Sequence, residues 1–279
     1  MKYFLVTGAD GRLGKSLTPK LNKIGQVIRI NRHEMDTASI KKKIKSVPDQ
    51  TMLIHLAWPV ATANYLDDEE NLKMLEDSIN LFNIAVETKD LKIIGAGSVL
   101  ELGNVNDAYD ESIPSPQNCY ADSKAKLWSH LNEISKGKSK WLRIGYQVSG
   151  VDPKHKLFPA LISNKNLEFQ LTGINDKIDF IHREDVAEAF MTVIKNFEIF
   201  DVKSPVVGCG RTIDVAEIAQ KLSVRVKKSS LNSTGKHLIT HPVSLRKFNW
   251  QPQYDTLEKL LAIISNEYEM NEIHKNYSV

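Results

Sequence analysis

The chain has 279 residues, of which 42% are hydrophobic and 25% are charged, so it is long enough to form a core of ordinary globular composition. Its net charge of +3 is too small to indicate nucleic-acid or membrane-surface binding, and none of its apolar runs approaches the roughly 20 residues of a membrane span. The two cysteines, Cys119 and Cys209, form neither a metal-ligand pattern nor a disulfide framework, and we therefore expect a cytoplasmic protein without a bound metal.

Short apolar runs alternate with helical periodicity through the first half of the chain. The predicted strands are Lys2–Thr7, Gln26–Ile30, Met52–Ala57, Leu91–Ala96 and Lys140–Ile144. The predicted helices between them are Arg12–Ile24, Thr37–Ser46, Asp68–Thr88 and Tyr120–Lys136. This alternation is typical of a parallel sheet with helices on both faces, in which ligands bind beyond the carboxyl ends of the strands.

The segment G-A-D-G-R-L-G-K-S at 8–16 has the glycine content of a phosphate-binding loop. A nucleotide-hydrolase P-loop would need glycine at position 9, where this chain has alanine. A dinucleotide-binding turn fits better, because the segment follows a strand and places Gly8 in the turn, Gly11 beside a ligand and Gly14 against the strand. A glycine-rich turn without a ligand is the alternative.

The end of the second predicted strand bears on the choice of dinucleotide. An NAD(H) site has an acidic residue there to bind the ribose 2′-hydroxyl, whereas an NADP(H) site has an arginine for the 2′-phosphate. This strand is followed by Asn31 and Arg32, with no acidic residue at the corresponding place. The sequence therefore favours NADP(H) over NAD(H), unless Arg32 is merely a surface cation.

Tyr120 and Lys124 lie four residues apart at the start of a predicted helix, and this spacing puts both side chains on one face. A nearby ammonium group stabilises a phenolate, so we expect Lys124 to lower the pKa of Tyr120 from its usual value of about 10. Tyr120 could then act as an acid or a base near neutral pH.

The alternation weakens after Gly150, and two further helices are predicted at Arg183–Asn196 and Thr256–Glu269. We therefore expect an α/β fold, with a Rossmann-type doubly wound parallel sheet and a smaller C-terminal lobe. Residues 1–150 would form the dinucleotide-binding domain and residues 151–279 the substrate-binding lobe, with a segment at about 178–210 returning to the main sheet.

Several motifs occur in the order typical of one enzyme superfamily. They are T-G-A-D-G-R-L-G at 7–14, L-I-H-L-A-W at 53–58, G-S-V-L-E-L-G at 97–103, Y-A-D-S-K at 120–124, D-F-I-H-R-E-D-V-A at 179–187 and F-N-W-Q-P at 248–252. Over nearly its whole length the chain resembles the extended short-chain dehydrogenases/reductases, the NAD-dependent epimerase/dehydratase family. The resemblance implies a nucleotide-diphosphate-sugar substrate and a homodimer.

The resemblance also implies roles for individual residues. Ser98, Tyr120 and Lys124 would be catalytic, with Ser98 bonding the substrate oxygen that Tyr120 protonates and Lys124 also binding the nicotinamide ribose. The implied cofactor-binding residues are Gly8, Asp10, Gly11, Arg12, Leu13, Gly14, Asn31, Arg32, Leu56, Ala57, Trp58, Tyr120 and Lys124. The implied substrate-binding residues are Ser98, Val99, Gln147 and Leu157. His55 matches a family position but is expected to be a packed strand residue.

In relatives, the helices that match Asp68–Thr88 and Tyr120–Lys136 pair across a twofold axis as a four-helix bundle. These helices would then need apolar positions on more than one face. The candidates for such positions are Leu72, Leu75, Ile79, Leu127 and Leu131.

Three positions depart from the family pattern. An Asn that begins the helix before Ser98 has its nearest equivalent at about Met74, and Gln147 could take the place of the Asn in R-x-x-N-x-Y-G-P. The Arg that precedes D-F-I-H, and that holds the nucleotide diphosphate in relatives, is replaced by Ile178 beside Lys177. These changes bear on the nucleotide half of the substrate.

The residues around Ser98 bear on the reaction. The 4,6-dehydratases resemble one another in a Thr-Asp-Glu where this chain has Ser98-Val99-Leu100, so dehydration is not expected. The segments H-L-A-W at 55–58, A-N-Y at 63–65 and G-S-V-L-E-L-G at 97–103 resemble those of 4-keto-6-deoxysugar reductases such as the dTDP-6-deoxytalose-forming enzymes. We therefore expect NAD(P)H-dependent reduction of the C4 keto group of a nucleotide-linked sugar, such as a 6-deoxysugar.

Two alternatives stay open. A nucleotide-sugar C4 epimerase with tightly bound NAD would use the same residues. A non-catalytic dinucleotide-binding regulator belongs to a different class, and the presence of Ser98, Tyr120 and Lys124 argues against it.

Overall fold

The computed structural model describes residues 2–60, 62–227 and 235–277. Its largest sheet in these ranges has six parallel strands in the order β2-β1-β3-β4-β6-β11. They are β1 Lys2–Thr7, β2 Gly25–Ile30, β3 Met52–His55, β4 Lys92–Ser98, β6 Ser139–Ile144 and β11 Val206–Val207. The chain runs from β1 out to β2 and then back across β1 to β3. The strand order therefore reverses between β1 and β3, where sheets of this kind form a ligand crevice.

Shorter strands and nine described helices complete the fold. The strands are β5 Asp107–Ala108, β7 Tyr146–Val148, β8 Glu168–Gln170, β9 Lys177–Ile178, β10 Phe180–His182, β12 Ile213–Asp214, β13 Arg225–Lys227 and β14 His237–Thr240, in the sheets β12-β9-β14-β5, β10-β7 and β13-β8. The helices are α1 Arg12–Asn22, α2 Thr37–Ser46, α3 Glu70–Lys89, α4 Cys119–Ile134, α5 Leu157–Ser163, α6 Arg183–Lys195, α7 Val215–Lys221, α8 Val243–Lys247 and α9 Leu257–Tyr277. None of these helices combines the length and apolar character needed to cross a bilayer.

Helices cover both faces of the large sheet. On one face α1 packs beside α6, with Leu17 and Phe190 among the buried side chains. On the other face α3 packs beside both α2 and α4, with Phe82 and Trp141 in the core. Apolar side chains on both faces bury the central strands, as expected for a parallel sheet, while the edge strand β2 is partly exposed. The predicted Rossmann-type doubly wound sheet is confirmed.

A further core lies in the C-terminal part of the chain. Phe158 on α5, Ile218 on α7 and Leu260 on α9 are fully or almost fully buried there. Within the segment 178–210, β11 is hydrogen-bonded to β6 of the large sheet. The division of the chain at residue 150 stays a prediction.

Most predicted elements lie within two residues of the observed ones, and the differences at the strand ends have physical causes. Strand β4 continues to Ser98, because its parallel pairing with β6 continues to that residue. Strand β3 ends at His55, because its register with β1 ends at the pair Thr7–His55, and Ala57 N bonds instead to the Thr7 side chain, 3.3 Å from its Oγ1. Helix α9 extends to Tyr277, eight residues past the predicted end.

The structure corrects two of the positions predicted to serve a dimer interface. Leu127 and Leu131 on α4 are fully buried in the core against the sheet, so they cannot face a second copy of the chain. On α3, Leu72 is exposed and Leu75 and Ile79 are partly buried. The homodimer itself stays a prediction.

Candidate active site

A cavity of about 590 Å³ opens at the carboxyl ends of β1, β3 and β4, at the reversal of strand order. The sequence-predicted site residues all line it: Gly8, Asp10, Gly11, Arg12, Leu13, Gly14, Asn31, Arg32, Leu56, Ala57, Trp58, Ser98, Val99, Tyr120, Lys124, Gln147 and Leu157. The fold thus brings together residues that are as far apart in sequence as Gly8 and Leu157. Their roles are considered below.

The glycine segment after β1 is shaped by close backbone contacts. Gly8 has a φ of +68°, and a Cβ atom there would lie 2.7 Å from the Ala57 backbone nitrogen. A Cβ atom on Gly14 would lie 2.1 Å from the Gly8 carbonyl oxygen. Helix α1 begins at Arg12, and its N-cap Gly11 has no side chain to accept from the N–H groups of the first turn. These N–H groups, at the positive end of the helix, suit the pyrophosphate of a dinucleotide.

At the end of β2, the cations are paired with carboxylates in solvent. Arg32 Nη2 lies 3.4 Å from Glu70 Oε2, and 78% of the Arg32 side chain is exposed. Arg29 Nη1 lies 3.0 Å from Asp10 Oδ1, and both of these side chains are at least half exposed. Exposed pairs of this kind contribute little to stability, so either arginine can exchange its carboxylate for a phosphate at low cost.

Ser98 and Tyr120 come together from the end of β4 and the start of α4. Asn118 caps α4 by accepting from Ala121 N at 2.9 Å, and this fixes the first turn that carries Tyr120. The Ser98 side chain lies close enough to the Tyr120 hydroxyl to lower the pKa of that phenol in part. Ser98 Oγ accepts from Leu100 N at 3.2 Å, which leaves its own proton available for a ligand oxygen.

Lys124 is almost fully buried beneath Tyr120. Its Nζ donates to the Ala96 carbonyl oxygen at 2.8 Å and lies 3.8 Å from the centroid of the Trp58 ring. Burial lowers the pKa of Lys124, and the carboxylate of Glu101 partly offsets this by raising that pKa. An ammonium group in this position is held by a carbonyl and an aromatic face.

The expectation that Lys124 lowers the pKa of Tyr120 is wrong for this structure. The pKa of Tyr120 is raised, chiefly by burial and further by the neighbouring Tyr65, while Ser98 and Arg12 lower it in part. The Lys124 Nζ lies 6.0 Å from the Tyr120 ring centroid. Sequence spacing placed the two groups on one helix face, but it could not reveal how far burial outweighs their interaction.

His55 is a packed residue, as expected. Its ring nitrogens lie 2.9 Å from Thr7 Oγ1 and 3.1 Å from Ser78 Oγ, and its ring packs edge-on against Phe82. Burial, with a smaller effect from the Lys124 charge, lowers the pKa of His55 to about 3. The imidazole is therefore neutral at physiological pH.

An asparagine that the sequence analysis missed lies three residues before the position it named. Asn71 on α3 is fully buried, and its Oδ1 accepts from Trp58 Nε1 at 2.7 Å. Its Nδ2 donates to the carbonyl oxygens of Tyr65 and Asp68. Met74 also lines the cavity, but Asn71 fixes Trp58 over Lys124. The sequence could have pointed to Asn71, because it is a polar residue on the first turn of a helix that is half-buried.

The far half of the cavity holds a half-buried lysine. Lys156 lies before α5, and its Nζ is 4.3 Å from the Tyr65 ring centroid, while that ring packs edge-on against Tyr120. Arg12 pairs with the buried Asp152 at 3.0 Å on the same side. Lys177 lies outside the cavity lining and 3.4 Å from Asp214. Lys156, which the sequence analysis also missed, is thus better placed than Lys177 to meet an anionic ligand.

The sequence profile of the NAD dependent epimerase/dehydratase family matches residues 4–207. The chain belongs to this family. In this family member the matched segment starts within β1 and ends with β11, so it includes residues of all six strands of the large sheet. No curated protein matches the chain in sequence.

Solved structures share the fold of this family member over nearly the full length of both chains. It is similar to UDP-glucose 4-epimerase from Thermus thermophilus in complex with NAD, with a TM-score of 0.78, 18% identity and coverage of 96% of this chain and 99% of that chain. It is similar to RMD from Pseudomonas aeruginosa complexed with NADPH, with a TM-score of 0.80, 17% identity and coverage of 97% and 100%. For dTDP-glucose 4,6-dehydratase from Bacillus anthracis in complex with NAD, the TM-score is 0.77 at 15% identity, with 98% of each chain covered. At identities this low, the likeness shows the fold.

Proposed function

We propose that the protein catalyses NAD(P)H-dependent reduction of the C4 keto group of a nucleotide-linked 6-deoxysugar. The observation that carries the proposal is the convergence of Ser98, Tyr120 and buried Lys124 in a cavity that also contains the glycine loop before α1. A proton donor, a second hydroxyl and a cation meet there beside a site suited to a dinucleotide.

The residues present fit a nicotinamide dinucleotide. The first turn of α1 and the loop Gly8–Gly11 would hold its pyrophosphate, while Asn31 and Arg32 would lie at its adenosine end. When bound, the reduced cofactor supplies a hydride to the carbonyl carbon. We favour NADP(H), because Arg29 and Arg32 both lie near the end of β2 and their present partners are exposed carboxylates.

The chain's own residues would handle the proton. Because its pKa is raised, Tyr120 is protonated at neutral pH and can donate its phenolic proton to the substrate oxygen. Ser98 would donate a hydrogen bond to the same oxygen. The Lys124 ammonium would limit the cost of the phenolate left on Tyr120.

The substrate's nucleotide diphosphate would lie in the half of the cavity that contains Lys156, Gln147 and Leu157. Lys156 supplies a cation there in place of the arginine that this chain lacks before D-F-I-H. Two of the compared proteins support a nucleotide-sugar ligand, since they are a UDP-glucose 4-epimerase and a dTDP-glucose 4,6-dehydratase. Dehydration is disfavoured, because Val99 and Leu100 bring no acid to the site.

C4 epimerisation with tightly bound NAD is the second candidate. The same Ser98, Tyr120 and Lys124 would serve it, and the likeness of the fold to a UDP-glucose 4-epimerase in complex with NAD supports it. A regulator without activity is disfavoured because it would have no need of a proton donor and a buried ammonium group. We further propose that the enzyme acts as a cytoplasmic homodimer, and light scattering at micromolar concentration tests its assembly.

Oxidation of NADPH with a panel of nucleotide-linked 4-keto-6-deoxysugars tests the reaction, with the C4 configuration of the product read by NMR. The reductase predicts stoichiometric NADPH loss and a 4-hydroxy product. The epimerase predicts that NAD co-purifies and that UDP-glucose and UDP-galactose interconvert without added cofactor. A protein that binds NAD(P)H but turns over neither class of substrate would overturn both enzyme proposals.

A further inference from the structure

A buried charged cluster lies directly behind Ser98. Glu101 belongs to the 3-10 helix Val99–Leu102 that follows β4, and its side chain is fully buried. Its Oε1 accepts from the Ser98 backbone nitrogen at 2.7 Å and from Trp141 Nε1 at 2.9 Å. Arg143 Nε lies 3.4 Å from its Oε2. The carboxylate therefore has a partner for each oxygen, and one of these partners is the backbone of Ser98.

Strand β4 lacks side chains where this cluster packs. A Cβ atom on Gly95 would lie 2.2 Å from the Trp141 ring. A Cβ atom on Gly97 would lie 2.3 Å from Trp141 Nε1 and 2.8 Å from Glu101 Oε1. The two glycines thus give the indole and the carboxylate room against the strand that ends in Ser98. This close packing leaves little freedom for Ser98 to shift.

The same cluster borders the Lys124 ammonium. Lys124 bonds to Ala96 on β4, and its Nζ lies 5.6 Å from the centroid of the Trp141 ring that Glu101 binds. The titratable and charged groups that act on Lys124 or on Glu101 are Glu101, Arg143, Tyr120 and His55, and His55 is neutral. Arg143 also donates to the Ser112 carbonyl oxygen at 2.9 Å. Burial raises the pKa of Glu101, while Arg143, Trp141 Nε1 and the Ser98 N–H lower it and so favour the carboxylate, which bonds Arg143 and acts on Lys124 through space.

We propose that Glu101 is a positioning residue of this site, whose buried carboxylate fixes the backbone at Ser98 and supplies the negative charge that balances the Lys124 ammonium. The functional part of this inference rests on the proposed roles of Ser98, Tyr120 and Lys124. Without the carboxylate, burial alone acts on Lys124, and the ammonium loses its proton at a lower pH. Tyr120 then loses the cation that stabilises its phenolate after proton transfer.

The test measures Lys124 directly. The protein is labelled with ¹³C at lysine Cε, the Lys124 signal is assigned with Lys124→Arg, and its titration is followed by NMR in the native protein and in Glu101→Gln. Glutamine retains the oxygen that accepts from Ser98 N and Trp141 Nε1 but removes the charge. We expect the titration midpoint of Lys124 to fall by about one pH unit or more, a tenfold change in its protonation ratio. An unchanged midpoint would overturn the proposal.

Asp185→Asn is the matched control. Asp185 is also a buried carboxylate, and it accepts from the backbone nitrogens of Gln253 and Tyr254 at 2.8 and 3.0 Å, on a different part of the fold. Its amide variant measures the general effect of neutralising a buried acid. The Lys124 midpoint is expected to stay in place in this variant, and an equal shift in both variants would contradict a specific role for Glu101.

Glu101→Gln leaves Arg143 buried without its anion, and this variant can therefore fail to fold. A second variant covers that case. Glu101→Gln combined with Arg143→Met removes both buried charges and should restore folding. The midpoint of Lys124 should still be low in this variant. A native midpoint in a folded double variant would overturn the proposal.

Steady-state kinetics of Glu101→Gln provide a separate test. If 4-keto sugars are reduced, the loss of kcat at high pH should begin at lower pH in Glu101→Gln, while KM for NADPH, measured below the Lys124 midpoint of the variant, stays within about twofold of the native value. If the native protein reduces no such substrate, the proposed function fails, and the NMR titration still decides the part of the inference that concerns Glu101 and Lys124. A native pH profile in Glu101→Gln would remove Glu101 from the reaction.

Discussion

The ends of β2 and β4 carry the same residue types in opposite environments. At β2, Arg29 and Arg32 face carboxylates across open solvent, and 78% of the Arg32 side chain is exposed. At β4, Glu101, Lys124 and Arg143 are buried, and backbone groups and aromatic rings hold them in place. One residue from each group, Arg32 and Lys124, lines the same cavity. The difference separates charges that can be exchanged from charges that are fixed.

The physical basis is the cost of removing a charge from water. An exposed ion pair contributes about 0–1 kcal/mol, so a ligand phosphate can replace the carboxylate without a large loss. A buried charge must be matched by partners that are in place before any ligand arrives, because leaving it unpaired costs several kcal/mol. The β2 end thus suits recognition of a variable group, and the β4 end suits chemistry. Substitutions should therefore lose effect as the exposure of the side chain increases.

The largest loss is expected from Tyr120→Phe. This variant removes the phenolic proton and keeps the ring that packs against Tyr65 and Trp58. Turnover should fall by roughly 10²-fold or more, the scale of a positioned acid, while NADPH affinity stays nearly unchanged. Steady-state kinetics and fluorescence titration measure the two quantities. Near-native turnover in the Phe variant would remove Tyr120 from the proposed role.

Lys124→Met separates stability from activity at the buried end. Burial lowers the pKa of Lys124, so the protonated group destabilises the folded state, and methionine relieves this cost. The unfolding temperature should rise by about 2 °C or more at neutral pH. The pKa of Lys124 is lowered from 10.5, so the folded and unfolded states bind its proton equally above that pH. The stability gained by Lys124→Met should therefore be small near pH 10.5 and grow as the pH falls.

The same variant should lose both NADPH affinity and turnover, each by about tenfold or more, because one ammonium group is proposed to serve the ribose and Tyr120. Calorimetry and kinetics measure the two losses, and scanning calorimetry across pH measures stability. A Met variant that binds NADPH normally and turns over would refute the shared role. A lower unfolding temperature would show that the contacts of Lys124 outweigh the cost of its burial.

Local patterns predicted the large sheet and the glycine loop, and the resemblance to the family supplied most of the other residues that line the cavity. Alternating elements fix a parallel sheet, and the carboxyl ends of its strands meet at one edge. What the sequence analysis missed depends on packing between distant segments. Glu101 lies in the motif G-S-V-L-E-L-G, but the sequence assigned it no role, because its bonds to Trp141 and Arg143 connect residues about forty positions apart. Asn71, Lys156 and the burial that raises the pKa of Tyr120 were missed for the same reason.

Lys156→Met tests an intermediate case, since Lys156 is half-buried over Tyr65. If Lys156 meets the substrate diphosphate, KM for the nucleotide sugar and Kd for its nucleoside diphosphate should rise about tenfold, with kcat within about threefold. Affinity for the uncharged nucleoside should not change. Lys154→Met is the matched control, because Lys154 pairs with Glu272 on the surface two residues away and does not line the cavity. Equal effects of the two substitutions would assign the loss to general surface charge.

The smallest effect is expected from Arg32, the most exposed of these cations. A 2′-phosphate carries up to two negative charges, and a guanidinium group can bind it through two hydrogen bonds. Because Arg32 is exposed and shared with Glu70, its contact with a phosphate is screened, and Arg32→Ala should weaken NADPH binding by about tenfold or less while NADH binding stays unchanged.

Glu70→Gln is the informative partner variant, because it frees Arg32 from its carboxylate. It should tighten NADPH binding alone, by about two- to fivefold, and this gain should shrink with added salt. Titration of both dinucleotides against the native protein and both variants measures these changes. If the native protein binds NADPH and NADH equally and neither substitution alters the ratio, Arg32 does not contact the cofactor, and the epimerase with bound NAD becomes the better-supported function.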